Sequence, residues 1–339
     1  MTGSVGTGDV RVGGDVELLE ELAGTRSELE RQVARRIVGQ REIVDKLLVA
    51  LLAGGHVLLV GVPGLAKTTL ISTLAETLRL RFSRIQFTPD LMPSDITGTE
   101  VLEEDVETGR RTFRFVQGPV FANVILADEI NRTPPKTQAA LLQAMQELSV
   151  TVGVDTFSLE PPFFVLATQN PIEHEGTYPQ PEAQLDRFML ELRMTYPPLE
   201  EEREVAAVTT TDTVQPIDPV ISGDRLLEFQ GLVRRVPAPP SIVDYAVRLA
   251  RSTRPGDDSA PAFIREMVAW GAGPRASQFL VLGAKARAAL SGRPAPSLED
   301  VRAAAPDVLR HRVVPGFEAE AAGRTADDLV EELIAMVRT

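Results

Sequence analysis

Residues 57–69 read Val57-Leu58-Leu59-Val60-Gly61-Val62-Pro63-Gly64-Leu65-Ala66-Lys67-Thr68-Thr69. The first four residues form an apolar run typical of a buried strand, and the loop after them leads into a helical pattern from Lys67 onward. Backbone N–H groups of such a loop converge with the free N–H groups and positive dipole end of the helix, which favour a polyphosphate. The segment therefore predicts a phosphate-binding loop at a nucleotide site.

The residue types within this loop predict their chemistry. We expect Lys67 to reach the β- and γ-phosphates of ATP, and the Thr68 hydroxyl to ligate Mg²⁺. The strict pattern has Gly at the position of Ala66, whose methyl group could crowd the approach of phosphate to the backbone. The alternative is a Gly/Pro turn between a core strand and a helix, without a ligand. The joint occurrence of strand, loop and helix favours phosphate binding.

A second apolar run, Val124–Ala127, ends in the acidic pair Asp128-Glu129. A central parallel strand delivers such carboxylates to its C-terminal edge, where ligands of α/β sheets bind. We expect Asp128 to hold Mg²⁺ through water and Glu129 to polarise the attacking water. The alternative is solvated charge at a strand end; a phosphate loop in the same chain favours the catalytic interpretation.

Three further polar residues are candidates, each with a simpler alternative. Asn170 follows the predicted strand 163–168 and could orient the lytic water, or only initiate an Asn-Pro turn. Arg187 could be an arginine finger in a neighbouring subunit's site, or a surface ion pair. Arg275 stands at a helix start, where a cation opposes the helix dipole and needs an anionic partner, either a nucleotide phosphate or a carboxylate.

The pattern along the chain predicts two domains after a flexible tail at 1–14. Residues 15–198 read as an α/β section, with helices at 15–36 and 41–53, later strands at 84–88 and 189–192, a helix at 137–148, and hairpins at 99–116 and 150–159. From residue 199 to 339 the pattern is alanine-rich and helical, as in a small helical domain. Its predicted helices cover 200–208, 224–236, 241–253, 262–270, 275–291, 297–309 and 325–338.

Composition excludes several function classes. The chain has 339 residues and a net charge of −13, which argues against a broad electrostatic footprint for nucleic acid. It has no cysteine, which excludes disulfides and thiolate chemistry and fits a cytoplasmic protein. The apolar span 47–64 is interrupted by Gly54-Gly55-His56, so we expect no membrane span.

Five motifs together resemble the MoxR family of AAA+ ATPases. They are Gly-Val-Pro-Gly-Leu-Ala-Lys-Thr (61–68), Leu-Ala-Asp-Glu-Ile-Asn-Arg (126–132), Ala-Thr-Gln-Asn-Pro (167–171), Gln-Leu-Asp-Arg-Phe (184–188) and Gly-Pro-Arg-Ala (273–276). The resemblance implies a parallel five-stranded P-loop sheet flanked by helices, with a smaller C-terminal all-α lid. It also implies a helix-2 insert at 99–116 and a pre-sensor-1 hairpin at 150–159.

The resemblance assigns roles to the candidate residues. Residues 61–69 become the nucleotide-binding Walker A segment, in which MoxR-like sequences often carry Ala at position 66. Asp128-Glu129 becomes the Walker B pair, Asn170 sensor 1, Arg187 the arginine finger and Arg275 sensor 2, acting in its own or a neighbour's site. Val38 and Gly39 lie in a segment that commonly flanks the adenine in related ATPases.

The family resemblance also implies an assembly and a function. It implies a homo-oligomeric ring, usually a hexamer, that hydrolyses ATP between protomers and remodels a protein client, often one with a von Willebrand factor A domain. Two alternatives stay open: a nucleotide-gated scaffold with little turnover, and a nucleic-acid-dependent motor, which the net charge disfavours.

Overall fold

The structure is a computed structural model that describes residues 12–104, 111–171, 176–178, 180–210 and 215–337. Most of the predicted N-terminal tail, the turn around Gly109 and the last predicted helical residue, Arg338, lie outside these ranges. Among the described residues, no helix is long and apolar enough to cross a bilayer.

Eleven strands occur within the described ranges: β1 Val57–Gly61, β2 Phe82–Gln86, β3 Gly98–Glu104, β4 Arg111–Gln117, β5 Val124–Asp128, β6 Ser149–Val152, β7 Asp155–Ser158, β8 Phe164–Gln169, β9 Leu190–Met194, β10 Val268–Trp270 and β11 Val314–Pro315. Five of them form one parallel sheet in the order β2-β5-β8-β1-β9. The predicted parallel five-stranded sheet is therefore confirmed.

Fourteen α-helices occur within the same ranges: α1 Val12–Val33, α2 Arg41–Ala53, α3 Lys67–Thr77, α4 Pro93–Thr97, α5 Pro135–Glu147, α6 Glu182–Leu185, α7 Leu199–Thr209, α8 Gly223–Arg235, α9 Pro240–Ser252, α10 Ala262–Met267, α11 Pro274–Leu290, α12 Leu298–Leu309, α13 Phe317–Ala321 and α14 Ala326–Met336. Helix α1 thus begins three residues before the predicted start at Asp15, within the predicted tail.

Both faces of the sheet are covered, which explains why its central strands are almost wholly apolar. Val57 and Leu59 of β1 belong to one buried cluster, which α1, α2, α3 and the C-terminal helices complete. Leu58, which points to the other face, belongs to a second cluster with residues of β5, β8 and α5. The alternation along β1 therefore holds the phosphate loop on a strand packed from two sides.

The two predicted hairpins are confirmed. β3 pairs antiparallel with β4, and β6 pairs antiparallel with β7. Phe115 of β4 stacks on Phe157 of β7 with 4.1 Å between ring centroids, so the hairpins contact each other.

The C-terminal region is helical, as predicted, with one correction. The helix predicted over 262–270 ends at Met267, and β10 continues to Trp270 by pairing antiparallel with β11. The prediction was wrong there because the strand depends on a partner more than forty residues later, which no local pattern reveals. Helix α11 of this region packs on α2, directly before the phosphate-loop strand.

Candidate functional site

The phosphate loop leaves the sheet at Gly61, which pairs with Met194 of β9. Leu65 is 7 % exposed and anchors the loop to the core. Gly64 has φ +86°, and Ala66, the residue before α3, has φ +54° and ψ 29°, so the loop uses the left-handed region twice. This conformation explains why the strict pattern has Gly at position 66, since an L-residue there costs roughly 1–2 kcal/mol.

Lys67 is half-buried and faces both the loop and the acidic pair. Its Nζ donates a hydrogen bond to the carbonyl of Gly61. Burial lowers the pKa of Lys67, whereas the charges of Asp128 and Glu129 act to raise it. The structure thus brings the predicted phosphate-binding lysine and the predicted acidic pair into one electrostatic neighbourhood, with Thr68 next to Lys67 in the first turn of α3.

Asp128 is the last residue of β5, as the sequence predicted. Its Oδ1 accepts a hydrogen bond from Oγ1 of Thr168 at 2.6 Å. Its Oδ2 accepts from Nη2 and Nε of Arg84, at 2.6 and 3.1 Å. Sequence reasoning missed Arg84 and Thr168 as partners. The only available signal was that both stand in strands predicted to lie in the same sheet.

Glu129 is held in the left-handed region, with φ 56° and ψ 48°. Its backbone N–H donates to Thr168 Oγ1 at 2.9 Å, and its Oε2 accepts from Gln86 Nε2 at 2.9 Å and from Arg132 Nη1 at 3.2 Å. A non-glycine residue in this conformation stores strain that the surroundings must hold in place, as is common at functional sites. The Glu129 carboxylate therefore has a fixed position at the sheet edge.

Asn170 follows β8, the strand between β5 and β1 in the sheet. The preceding residue, Gln169, pairs with Val60, which lies next to Gly61. Asn170 is 8 % exposed. The three strand ends therefore place Lys67, Asp128, Glu129 and Asn170 along one edge, with Asn170 between the phosphate loop and the acidic pair.

The segment before α2 touches the phosphate loop from the other side. Nε2 of Gln40 donates to the carbonyl of Leu65 at 3.4 Å. Gly39 has φ +68°, a left-handed conformation that favours glycine, and Glu201 lies against its Cα. Gly39 and Gln40 line a cavity of about 410 Å³ whose other walls include Met194 and Tyr196.

The residues present fit a nucleotide with Mg²⁺. Within the described ranges, Oε1 of Gln40 is buried without a hydrogen-bond partner, an acceptor that an adenine amino group could satisfy. The same ranges hold no group of three or more His, Cys, Asp or Glu side chains that could bind a metal ion alone. Mg²⁺ commonly takes one or two protein oxygens together with substrate phosphates, and the Thr68 hydroxyl and the Asp128 carboxylate are the oxygens that would serve here.

Arg187 and Arg275 lie at the opposite edge of the sheet from these residues. Arg187 stands two residues before Met189, whose N–H donates to the carbonyl of His56 at 2.7 Å. The next residue, Leu190, pairs with Val57 at the start of β1. Nη1 of Arg275 donates to Oδ2 of Asp186 at 2.9 Å. Burial, and next the positive charge of Arg275, lower the pKa of Arg187, so the two arginines are close together.

Comparisons with known proteins agree with this arrangement. Residues 56–190 match the model of the ATPase family associated with various cellular activities (AAA), and residues 262–333 match an AAA lid domain. The chaperone MoxR1 of Mycobacterium tuberculosis is 45 % identical over 93 % of this chain and 82 % of its own length. The protein MoxR of Methylorubrum extorquens is 33 % identical over 94 % of this chain and 96 % of its own.

A solved structure has the same fold throughout. The crystal structure of a candidate ATPase from Cytophaga hutchinsonii superposes with a TM-score of 0.87 at 39 % sequence identity. The match covers 97 % of this chain and 99 % of that one, so the helical region and the sheet are shared together.

Proposed function

Because the chain belongs to the MoxR family of AAA ATPases, we propose that it hydrolyses ATP between the protomers of a ring and uses the cycle to remodel a protein client. The observation that carries this proposal is the division of the candidate residues between two edges of one sheet. Lys67 and the acidic pair lie at the carboxyl edge. Arg187 and Arg275 lie at the amino edge.

In the proposed mechanism, residues 61–69 bind the triphosphate and Lys67 neutralises the β- and γ-phosphates. Val38, Gly39 and Gln40 hold the adenine. Thr68 and Asp128 would hold Mg²⁺, which supplies charge neutralisation at the phosphates. Glu129 positions the attacking water and accepts its proton, and Asn170, on the strand between the two motifs, orients the same water.

The position of Arg187 supports action in a neighbouring site. Four residue steps of β1 separate Val57 from Gly61, about 13 Å at the usual rise per strand residue. This is farther than an arginine side chain reaches, so Arg187 serves the nucleotide of the next protomer. An arginine finger contributes on the order of 10³- to 10⁵-fold in rate, or about 4–7 kcal/mol, so an isolated protomer should be a poor ATPase.

The position of Arg275 also supports action in a neighbouring site. It pairs with Asp186, directly before Arg187 in sequence, and not with any group at the edge of its own phosphate loop. We therefore assign it, too, to the neighbour's nucleotide, as a second cation for the developing charge. Its salt bridge to Asp186 matches the carboxylate alternative in this state, and a nucleotide phosphate would have to compete for it.

We further propose a ring of fixed stoichiometry and a protein client. A hexamer is the expected assembly, and a protein carrying a von Willebrand factor A domain is the expected client. The printed name of the M. tuberculosis relative, a chaperone, supports a role in acting on other proteins. Ala66 is the one feature that favours a weaker motor or a nucleotide-gated scaffold, because its methyl group occupies a position where glycine is usual.

The test is steady-state ATP turnover against protein concentration with Mg²⁺, together with mass by light scattering with and without ATP. The expected result is a specific activity that rises as the protein assembles, and that falls at least 100-fold in Arg187→Ala while assembly persists. Turnover that does not change with concentration and does not depend on Arg187 would refute the shared site. Strong stimulation by DNA or RNA would favour the nucleic-acid motor instead.

A further inference from the structure

Arg312, between α12 and β11, is only 4 % exposed and crosses from the lid to the core. Its Nε donates to Oδ1 of Asp186 at 2.7 Å, and its Nη2 donates to the carbonyls of Asp186 and Phe188 at 2.9 and 2.7 Å. Its Nη1 donates to the carbonyls of Met189, at 3.4 Å, and Val308. A single lid side chain thus holds the backbone carbonyls of Asp186, Phe188 and Met189, which lie on both sides of Arg187 in the chain.

Burying the charge of Arg312 costs free energy of folding, which its hydrogen bonds must offset. The penalty for removing an ion from water is several kcal/mol, and an apolar side chain of similar size would avoid it. The pKa of Arg312 is lowered to about 10 by burial, so the group still carries its charge near neutral pH. Only the planar fork of arginine, with five N–H donors, can serve a carboxylate and several carbonyls together; a lysine cannot.

Asp186 links the buried Arg312 to the partly exposed Arg275. Its Oδ1 accepts from Arg312 and its Oδ2 from Arg275. Arg187, the next residue, has no carboxylate within ion-pair distance among the residues the structure describes, although its neighbour Arg275 has one. Arg187 is partly exposed at the amino edge. Arg312 holds the backbone on both sides of it, which leaves the Arg187 charge available for an anion.

We infer that Arg312 is a positioning residue for Arg187: from the lid, it fixes residues 186–189 so that Arg187 faces the nucleotide of the neighbouring protomer. This inference rests on the proposed function, since it assumes that Arg187 acts in trans. It makes the lid of one protomer a determinant of catalysis in the next, without any contact between Arg312 and a nucleotide.

Arg312→Lys is the first variant, because it keeps the charge and loses the fork. The Arg312→Lys protomer keeps its phosphate loop and acidic pair, so we expect KM for ATP to change less than threefold. Because Arg187 is no longer held in place, we expect kcat to fall about 10- to 100-fold. In an Arg187→Ala background, the same change should lower kcat less than twofold further, because the group it positions is gone. Arg324→Lys is the matched control: Arg324 contacts Glu332 and Met267 within the lid and none of residues 186–189, and its turnover should stay at wild type.

Mixing separates positioning from a general structural defect. Arg312→Lys protomers keep an intact nucleotide site, and Glu129→Gln protomers keep a correctly placed Arg187. A mixed ring should therefore exceed the summed activity of the two proteins alone by at least fivefold. If Arg312→Lys does not fold, as judged by circular dichroism and thermal unfolding, Asp186→Asn replaces it in both experiments, since it removes the carboxylate partner at nearly equal volume.

The possible failures are distinguishable. If Arg187→Ala turns over at the wild-type rate, the shared site fails and the inference fails with it. If Arg187→Ala is impaired but the Arg312→Lys loss is the same with and without Arg187, or mixing gives no gain, the positioning role alone is overturned.

Discussion

The hydroxyl of Thr168 lies 2.6 Å from Oδ1 of Asp128 and donates a hydrogen bond to it, while its oxygen accepts from the backbone N–H of Glu129 at 2.9 Å. Thr168 is 1 % exposed, so one buried hydroxyl on β8 orients both acidic residues at the end of β5. Thr168 therefore fixes the relative positions of the two candidate catalytic residues, although it does not itself take part in the proposed reaction.

Thr168→Val should lower kcat about 10-fold, because the side chain keeps its shape but leaves Asp128 and the Glu129 N–H without their partner. An unmet buried polar group costs about 1–3 kcal/mol, so the free energy of unfolding should fall by a similar amount. Turnover assays and urea unfolding measure the two effects. Thr168→Ser, which keeps the hydroxyl, is the control and should retain most activity; equal losses in both variants would contradict the orienting role.

Local patterns were sufficient to predict the strand, loop and helix around residues 61–69 and the position of Asp128 and Glu129 at a strand end, because each candidate group follows its strand within a few positions. Thr168 and Arg312 were missed because their contacts join residues 40 and 126 positions apart. Only the assembled sheet and lid bring those groups together, and neither residue type is distinctive in the sequence.

The arginine edge was predictable only in part. Arg187 and Arg275 were both candidates from their motifs, but their mutual proximity depends on the first turn of α11 lying beside the residues that precede β9, a tertiary arrangement. The helical prediction missed the short β10–β11 pair for a related reason, because the two strands lie more than forty residues apart in the chain. Residues that face a neighbour across a domain boundary leave no periodic pattern in one chain.

Glu129→Gln should bind ATP with a dissociation constant within about threefold of wild type and lose at least 100-fold in kcat, because the amide keeps the shape but cannot accept the proton of the attacking water. Equilibrium binding of a fluorescent ATP analogue and single-turnover hydrolysis measure the two properties. Lys67→Ala provides the contrast, since it should weaken binding itself more than 10-fold. Wild-type turnover in Glu129→Gln would remove the role assigned to this carboxylate.

Ala66→Gly should change the free energy of unfolding by no more than about 1.5 kcal/mol. Relief of the left-handed strain, about 1–2 kcal/mol, is offset by the greater entropy that glycine has in the unfolded chain, about 0.5–1 kcal/mol. Residue 66 already holds the left-handed conformation with alanine in place, so ATP turnover should stay within threefold of wild type. A rise of 10-fold or more would show that the methyl group obstructs the phosphates, and would favour the scaffold interpretation of the native chain. Ala66→Val, β-branched at a positive φ, should be clearly less stable.

His56 should make the fold sensitive to acid. It stands directly before β1, where its Nδ1 accepts from the N–H of Val165 at 3.1 Å and its Nε2 lies 3.3 Å from the carbonyl of Met145. Burial lowers the pKa of this imidazole from 6.5 to about 4. The unfolded chain therefore takes up a proton at a pH where the folded one does not, and stability depends on the neutral ring.

The sign follows from that difference. His56 imposes no penalty above pH 6.5, and the free energy of unfolding should decrease by about 3 kcal/mol as the pH falls from 6.5 towards 4. Urea unfolding between pH 7 and 4.5, with wild type and His56→Gln compared at each pH, isolates this contribution, because His311 and the carboxylates titrate alike in both proteins. The stability curve of His56→Gln should fall less steeply over this range, since its amide can satisfy both backbone groups without a proton equilibrium. Parallel curves would mean that the imidazole takes up its proton at the same pH in the folded and the unfolded chain, so that neither burial nor the hydrogen bond from Val165 keeps it neutral.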